Sequence, residues 1–424
     1  MLKSAAQSSP ERVGYRETKI GPLPAGWEVV SLGEVTEPSA PIRYGVVQIG
    51  PDTPDGVPIV PIKHIRRIGD VVLHRASPKI ESQYKGSRVK GGDVLLSVKG
   101  TIGEVGVVPD GFEGNIAREI ARIRPKPCCD AQFLSLHLQA PQTQRRIENL
   151  VVGSTRLEFS IHAVRDFLVA LPPLPKQRKI AEILRTWDAA LEALTTLRTA
   201  KARLRTWFRT HLFTGKARLP GFSGEWREVR LSEVLHEHGL KSTGKEEVYS
   251  VSVHKGLVNQ IEHLGRSFSA ASTDHYNRVL PGDIVYTKSP TGDFPLGIIK
   301  QSKVDREVIV SPLYGVFTPK IHALGVILDA LFESPVATKN YLRPLVQKGA
   351  KNTIAVTNSQ FLEGKLRLPM DPDEQAAIAE VVNTSNAELT LIHAEIEALT
   401  RQKRGLMQKL LTGEWRVRTE APVA

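Results

Sequence analysis

Few residues in this chain are typed and spaced for bond-making chemistry. Ser311-Pro312-Leu313-Tyr314 is the nearest approach to the (Asp/Asn/Ser)-Pro-Pro-(Tyr/Phe) motif of an amino-methyltransferase, but leucine stands where the second proline belongs. No glycine-rich turn for S-adenosylmethionine precedes it. Gly100, Gly103 and Gly106 are not a phosphate loop, because no Gly-Lys-Ser/Thr follows, and they read as turns between strands. Pro51-Asp52 and Pro109-Asp110 suggest the opening of a nuclease site, yet neither is followed at short distance by the required acidic-x-Lys. The 12 histidines show no paired metal spacing, and Cys128 and Cys129 are adjacent, which suits neither a mutual disulfide nor a metal site. The expectation is a chain with no catalytic residues and no metal.

Residues suited to binding are more plentiful. A formal charge of +12 points toward a polyanionic partner. The stretch PIKHIRRIG supplies Lys63, His64, Arg66 and Arg67, and the glycine-bounded loop after Asp93 supplies Lys99 and Thr101. Further along, an equivalent loop presents Lys288, Ser289 and Thr291, with Lys348, Lys351 and Asn352 in a second basic stretch. Arginine and lysine read guanine or clamp phosphate; Ser, Thr and Asn read base edges or position the backbone. Any one of these residues equally suits an ordinary exposed surface. The loop pair carries more weight, because one offset places polar residues there twice.

The elements that must hold these loops are set by an internal repeat. Shifted by 198 residues, the stretch from Pro175 to Gly215 lands on 373–413 without a gap. Gln177, Ile180, Ala181, Glu182, Leu191, Thr214 and Gly215 fall on Gln375, Ile378, Ala379, Glu380, Leu389, Thr412 and Gly413. In the first copy Ile180, Leu184, Trp187, Leu191, Leu194, Leu204, Phe208 and Leu212 recur mostly at steps of three and four, with Leu197 close to their line. The second copy repeats the seam with Ile378, Val382, Leu389, Ile392, Ile396, Leu399, Leu406 and Leu410. This is the apolar stripe of a coiled coil. Pro175 and Pro372 stand before the two helices, and Gly215 and Gly413 close them.

Each helix ends a larger unit. WEVVSLGEV opens the first at Trp27, and WREVRLSEV opens the second at Trp226. Between opening and helix lie short β-rich runs: 57–62, 71–74, 93–98 and 105–108, then 248–253, 283–287, 296–299 and 314–317. RVKGGDVLLSVKGTIG answers RVLPGDIVYTKSPTG, with Gly92, Asp93 and Thr101 matching Gly282, Asp283 and Thr291. The fold class is therefore α+β, with an arm at 1–26, a globule at 27–172, a helix at 173–216, a second globule at 217–369, a second helix at 370–415 and a tail at 416–424. Few cysteines, no signal peptide and no membrane-spanning run suggest a soluble, cytoplasmic protein.

Only about ten residues separate Gly215 from Trp226, too few for the return connection that parallel helices would need. An antiparallel pair is expected, with the globules at opposite ends about a pseudo-twofold axis. The basic C-terminal half of the first helix (Arg198, Lys201, Arg203, Arg205, Arg209) then lies beside the acidic N-terminal half of the second (Asp373, Glu374, Glu380, Glu388, Glu395, Glu397). The 39 residues from Lys176 to Thr214 make about 58 Å of helix at 1.5 Å per residue.

The order and double occurrence of these motifs resemble the specificity subunit of type I restriction-modification systems. The features that carry the resemblance are the two Gly-Asp strand openings, the lead-ins LPPLPKQRKIAEIL and LPMDPDEQAAIAEVV, and the closing FTG and LLTGEWRV. It spans nearly the whole chain, and the two globules become target-recognition domains that diverge from each other over most of their length. The resemblance implies a non-catalytic reader of an asymmetric, bipartite site in double-stranded DNA, with the helices setting the gap. It implies two methyltransferase subunits docked on helices and globules, and a restriction-translocase subunit for cleavage. S-adenosylmethionine, ATP and magnesium would then belong to those partners, and this chain would hold no cofactor. A self-sufficient restriction or modification enzyme and a coiled-coil architectural DNA-binding protein are the alternatives.

Overall fold

The computed structural model describes residues 14–151, 157–264, 272–348 and 354–419. It divides into two compact units, one formed by the chain up to Ala193 together with the segment from Glu395, the other by Leu194–Ala394.

The principal elements of the first unit are β1 (Glu28–Ser31), β2 (Arg43–Tyr44), β3 (Val57–Val60), β4 (Arg75–Ala76), β5 (Val89–Lys90), β6 (Val94–Ser97), β7 (Val105–Val107), β8 (Glu113–Ile116), β9 (Ile120–Ile123), α1 (Ala131–Gln139), α2 (Pro141–Glu148), β10 (Leu168–Leu171) and the start of α3 (Leu174–Trp207). Two four-stranded sheets run β2-β9-β6-β7 and β4-β3-β8-β5. The first is antiparallel throughout, and the second contains one parallel pair, β3 with β8. The opening strand β1 pairs with β10, placing Val30 opposite Val169, so the chain returns to its entry point before launching α3. The expected strand at 71–74 is not formed. Val72 stands 99% exposed, and pairing begins only at Arg75.

The second unit repeats the plan with β11 (Arg227–Arg230), β12 (Leu235–His236), β13 (Ile284–Thr287), β14 (Ile298–Gln301), β15 (Gly315–Pro319), α4 (His322–Phe332), β16 (Lys365–Leu368) and α5 (Pro372–Leu411). Its sheet order β12-β15-β13-β14 reproduces β2-β9-β6-β7. β11 pairs with β16 as β1 pairs with β10, with Val229 opposite Leu366. β14 starts two residues later than the pattern at 296–299 suggests. Gly297 turns there at φ +107°, and a Cβ on it would lie 2.1 Å from the Thr287 carbonyl.

The helix after each sheet is apolar on two sides, as a helix covered on both faces must be. Leu134 and Leu138 of α1 join Leu32, Leu96, Ile123 and Phe159 in the sheet core. Phe133 and Leu136 face the other way, toward Ile180 and Leu184 of α3 and Met407 and Leu410 of α5. In the second unit Leu324, Leu328 and Phe332 of α4 join the sheet core with Tyr286, Phe317 and Phe361. Ile327, Ala330 and Leu331 meet Leu212, Phe213, Ile378 and Val382.

Each unit therefore contains the start of one long helix and the end of the other. Within the first, Ile180 and Leu184 share a cluster with Leu410 and Met407, and further along Asp188 pairs with Lys403, so the strands of sequence run in opposite directions. Within the second, Ile378 packs with Leu212, and Glu388 receives Lys201 at 2.8 Å. The antiparallel expectation is met within each unit; of its charge pattern Lys201–Glu388 forms, while Arg205 pairs instead with Glu333 and Glu374 with Arg218. The glycine closures repeat as well: Gly215 and Gly413 adopt φ +69° and +72°, and each lies against the tryptophan that opens a globule, Trp226 and Trp27.

Two expectations about the helices need correction. The first α-helix stops at Trp207, and Phe208–Leu212 form a π turn. Here Thr206 and Thr210 bond back to carbonyls four residues earlier, and Trp207 stacks on His211 at 4.9 Å. The apolar seam of α3 is also buried only at its ends, whereas α5 keeps Ile392 covered at mid-helix. Ile180, Leu184 and Leu212 are covered, whereas Leu197 and Leu204 are 43% and 44% exposed. Two helices alone cannot wrap a full stripe; in α3 burial is complete only where a globule adds a third wall. Residues 14–26, expected as an arm, form a small hairpin in which Tyr15–Arg16 pairs with Leu23–Pro24. Leu23 enters the core beside Met407 and Leu410, and the Tyr15 hydroxyl donates to the Gly413 carbonyl at 2.5 Å.

Candidate nucleic-acid interface

The two loops singled out by sequence are hairpin ends held by the same device. Asp93 sits 1% exposed at the foot of β6, where the Lys90 amide donates to its Oδ2 at 2.9 Å. Arg124 grips both carboxylate oxygens at 2.7 Å. Asp283, fully buried at the foot of β13, takes the Leu280 amide at 2.7 Å in the same register. Its other partners are Thr318 at 2.6 Å and His238 at 3.0 Å. Buried carboxylates need such partners to offset desolvation. The Gly-Asp pair thus anchors each hairpin at its base and leaves the tip to vary.

At the first tip, Ser97 donates to the Thr101 carbonyl at 2.6 Å and accepts from the Glu104 amide at 2.8 Å, folding the loop while Thr101 stays exposed. Lys99 is held in place: its ammonium lies 3.2 Å from Glu158 and 4.3 Å above the Tyr44 ring. Burial and the adjoining Glu158 push the Tyr44 phenol up to about 12, so it remains a donor, at 2.5 Å to Glu158. Sequence reasoning misses Tyr44 and Glu158. They lie 114 residues apart, and no spacing could have paired them.

The PIKHIRRIG stretch forms two tight turns, Ile62–His64 and Ile68–Asp70. Its Ile65 carbonyl lies over β7, where a Cβ on Gly106 would meet it at 1.8 Å. Arg66 reaches Glu104 at 2.9 Å, so this stretch and the Lys99–Thr101 loop meet as one patch. Lys63 and Arg67 are exposed, His64 is half-buried, and Arg67 lies 4.0 Å from Asp70.

In the second unit, Ser289 and Thr291 are exposed at the hairpin tip, and Thr291 exchanges backbone hydrogen bonds with Phe294 at 3.1 and 2.8 Å. Lys288 is half-buried, and burial lowers its pKa against the opposing pull of Glu237. Lys348 lies on the short strand Gln347–Lys348, paired with Ile354. Lys351 and Asn352 lie outside the described residues.

The candidate catalytic stretches have structural roles. Ser311–Tyr314 is a turn entering β15, closed by the Tyr314 amide on the Ser311 carbonyl at 3.0 Å. Asp52 accepts the Arg75 amide at 2.7 Å. Cys129 is buried, which raises its thiol to about 12. Among the described residues no group of three or more His, Cys, Asp or Glu is placed to hold a metal, and no helix is long and apolar enough to cross a membrane.

Residues 24–202 match the family described as the type I restriction modification DNA specificity domain. The chain is 31% identical over 162 residues to the type I restriction enzyme EcoBI specificity subunit of Escherichia coli, covering 37% of this chain. That stretch spans about a third of the relative, 34% of its length. The type I restriction enzyme MjaVIII specificity subunit of Methanocaldococcus jannaschii is 23% identical over 428 residues, covering 93% of this chain and 94% of that one. In fold, the chain is similar to the type I restriction-modification system S subunit from M. genitalium, with a TM-score of 0.55 at 16% identity over 91% of this chain and 96% of that one. Two hairpin-bearing sheets, each followed by a long helix, are the architecture expected of a type I restriction-modification specificity subunit, the family whose DNA specificity domain residues 24–202 match.

Proposed function

We propose that this chain binds double-stranded DNA through two different recognition units and delivers partner enzymes to the site. The observation that carries this reading is the repeated Gly-Asp hairpin: one buried carboxylate anchor, two dissimilar polar tips. Tips with Lys99 and Thr101 in one unit and Lys288, Ser289 and Thr291 in the other read different sequences, so the target is asymmetric and bipartite. Lys63, His64, Arg66 and Arg67 extend the first reading surface, and Lys348, Lys351 and Asn352 the second. The net charge of +12 favours phosphate binding around both.

The chain itself is non-catalytic in this reading. Methyltransferase subunits, two per chain, dock on the helices, where Leu197, Leu204, Trp207 and Leu391 stand exposed. A restriction-translocase subunit adds cleavage of unmodified DNA. S-adenosylmethionine, ATP and magnesium belong to those partners, and the complex works in the cytoplasm. Methylome sequencing of cells expressing this chain with its methyltransferase tests the proposal. The expected result is one asymmetric two-block motif with adenine methylation; a contiguous palindrome, or methylation by this chain purified free of partners, overturns it.

A further inference from the structure

Outside the hairpin tips, the first unit contains a cleft of about 540 Å³ whose wall carries Lys85, Arg88, Lys90, Arg122 and Arg124 against a single acidic residue, Glu113. Two of these cations are already matched: Arg88 to Glu81 at 2.7 and 2.5 Å, and Arg124 to Asp93. Lys85 and Lys90 are exposed and form no ion pair among the described residues. Arg122 is the unusual member. It lies in mid-strand on β9, 2% exposed, and its hydrogen bonds go to neutral carbonyls, those of Arg88 and Pro41, each at 2.9 Å. Its Nε is buried with no partner. A buried guanidinium without a carboxylate of its own is costly. Burial, together with Arg124 and Arg43 nearby, pulls its pKa down.

The repeat provides an internal control. Arg122 faces Leu95, two residues after Asp93; in the second unit Val316 faces Val285, two residues after Asp283. Lys90, three residues before Asp93, becomes Leu280, and Arg124 becomes Thr318. The scaffold closes with uncharged residues at these positions in one unit and concentrates positive charge there in the other. The second unit builds the same sheet without an arginine at this position.

We propose that this cleft is a phosphate-binding site particular to the first unit, with Arg122 at its floor and Lys85 and Lys90 at its mouth. The phosphate is either a backbone phosphate of the DNA duplex or that of a free phosphate-bearing small molecule. Only the first source rests on the DNA-binding function proposed above. Clustered arginines and lysines supply the charge-assisted donors that the oxygens of a tetrahedral phosphate accept.

Three variants of the full chain test the site: Arg122→Val, Lys90→Leu and Lys85→Ala. The first two install the second unit's own residues, and the lysines are exposed, so all three are compatible with folding. Isothermal titration with inorganic phosphate, at chloride-matched ionic strength, is expected to show saturable binding to the unsubstituted chain. Arg122→Val should weaken it at least tenfold, and Lys85→Ala and Lys90→Leu severalfold each. In parallel, the salt dependence of duplex binding should fall by about one counterion for each phosphate no longer neutralised. Loss of phosphate binding with an unchanged duplex salt slope assigns the site to a small molecule; a shallower slope assigns it to the DNA backbone. If the unsubstituted chain binds no duplex, the DNA-reading function falls while the phosphate titration still decides the cleft. Unchanged phosphate binding and unchanged salt slope in all three variants overturn the proposal.

Discussion

His137 shows how one buried side chain sets a pH limit on the first unit. It lies 3% exposed on α1, stacked on Phe133 at 5.9 Å, with the Ala170 amide 3.4 Å from its Nε2. Burial, reinforced by Arg146, lowers its pKa to about 4. The folded state therefore holds it neutral while the unfolded chain takes up a proton near pH 6.5. Its contribution is complete above that value and is lost as pH falls from about 6.5 toward 4, amounting to about 3 kcal/mol at most. Urea midpoints measured across this range should fall for the unsubstituted chain and flatten for His137→Gln; parallel curves would show that His137 is not the titrating group. Sequence alone could not single this histidine out, because its shift comes from being enclosed. The same holds for the hairpin anchors. Gly-Asp marks the strand openings in both halves, but Arg124 and Thr318 reach the carboxylates from 31 and 35 residues away. Of the expected DNA-contact residues, Arg66 and Lys99 turn out to be held by Glu104 and by Glu158, links that neither motif contains.

At the level of the elements, what repeats in sequence repeats in packing. Gln177 is buried and ties the start of α3 to the Pro172 and Cys128 carbonyls at 2.7 and 2.9 Å; Gln375 does the same for α5 through the Pro369 carbonyl at 2.8 Å. Helix direction, the Gly215 and Gly413 closures and the antiparallel order were all legible, because caps and periodicity are local properties. How far the seam is buried was not, since periodicity counts apolar residues and is blind to what covers them. The strand order was likewise hidden: β3 and β8 pair across more than fifty residues. The graded burial makes a sharp contrast. Ile180→Ala and Ile378→Ala, at 1% and 0% exposure, should each cost about 2–5 kcal/mol in the unit that contains them. Leu197→Ala, 43% exposed on the same expected stripe, should stay within about 0.5 kcal/mol. Equal losses at all three, measured by denaturant unfolding, would mean that the stripe is covered along its full length.

For the molecule as a whole, the middle of α3, where Leu197 and Leu204 stand exposed, suits a spacer that carries docking surface better than a core. If the helix pair sets the gap between the two halves of the DNA site, its length is separable from what each unit reads. Four residues inserted after Ala202 in α3 and four after Ala387 in α5 fall on the same side of the Lys201–Glu388 pair and add about 6 Å of helix at 1.5 Å per residue. Base pairs rise about 3.4 Å each, so the gap should lengthen by about one or two. Both sequence blocks should persist, because neither insertion touches a hairpin tip or its aspartate anchor. Four residues break the seven-residue rhythm and locally unwind the pair, a distortion that the half-buried Leu194 and Leu389 tolerate better than the buried Ile180 or Ile378 would. Methylated-site sequencing of the extended chain with its methyltransferase reads the spacing directly. A longer gap between unchanged blocks supports the helices as the measuring element; an unchanged gap assigns that role to contacts made by the recognition units or by the docked methyltransferases.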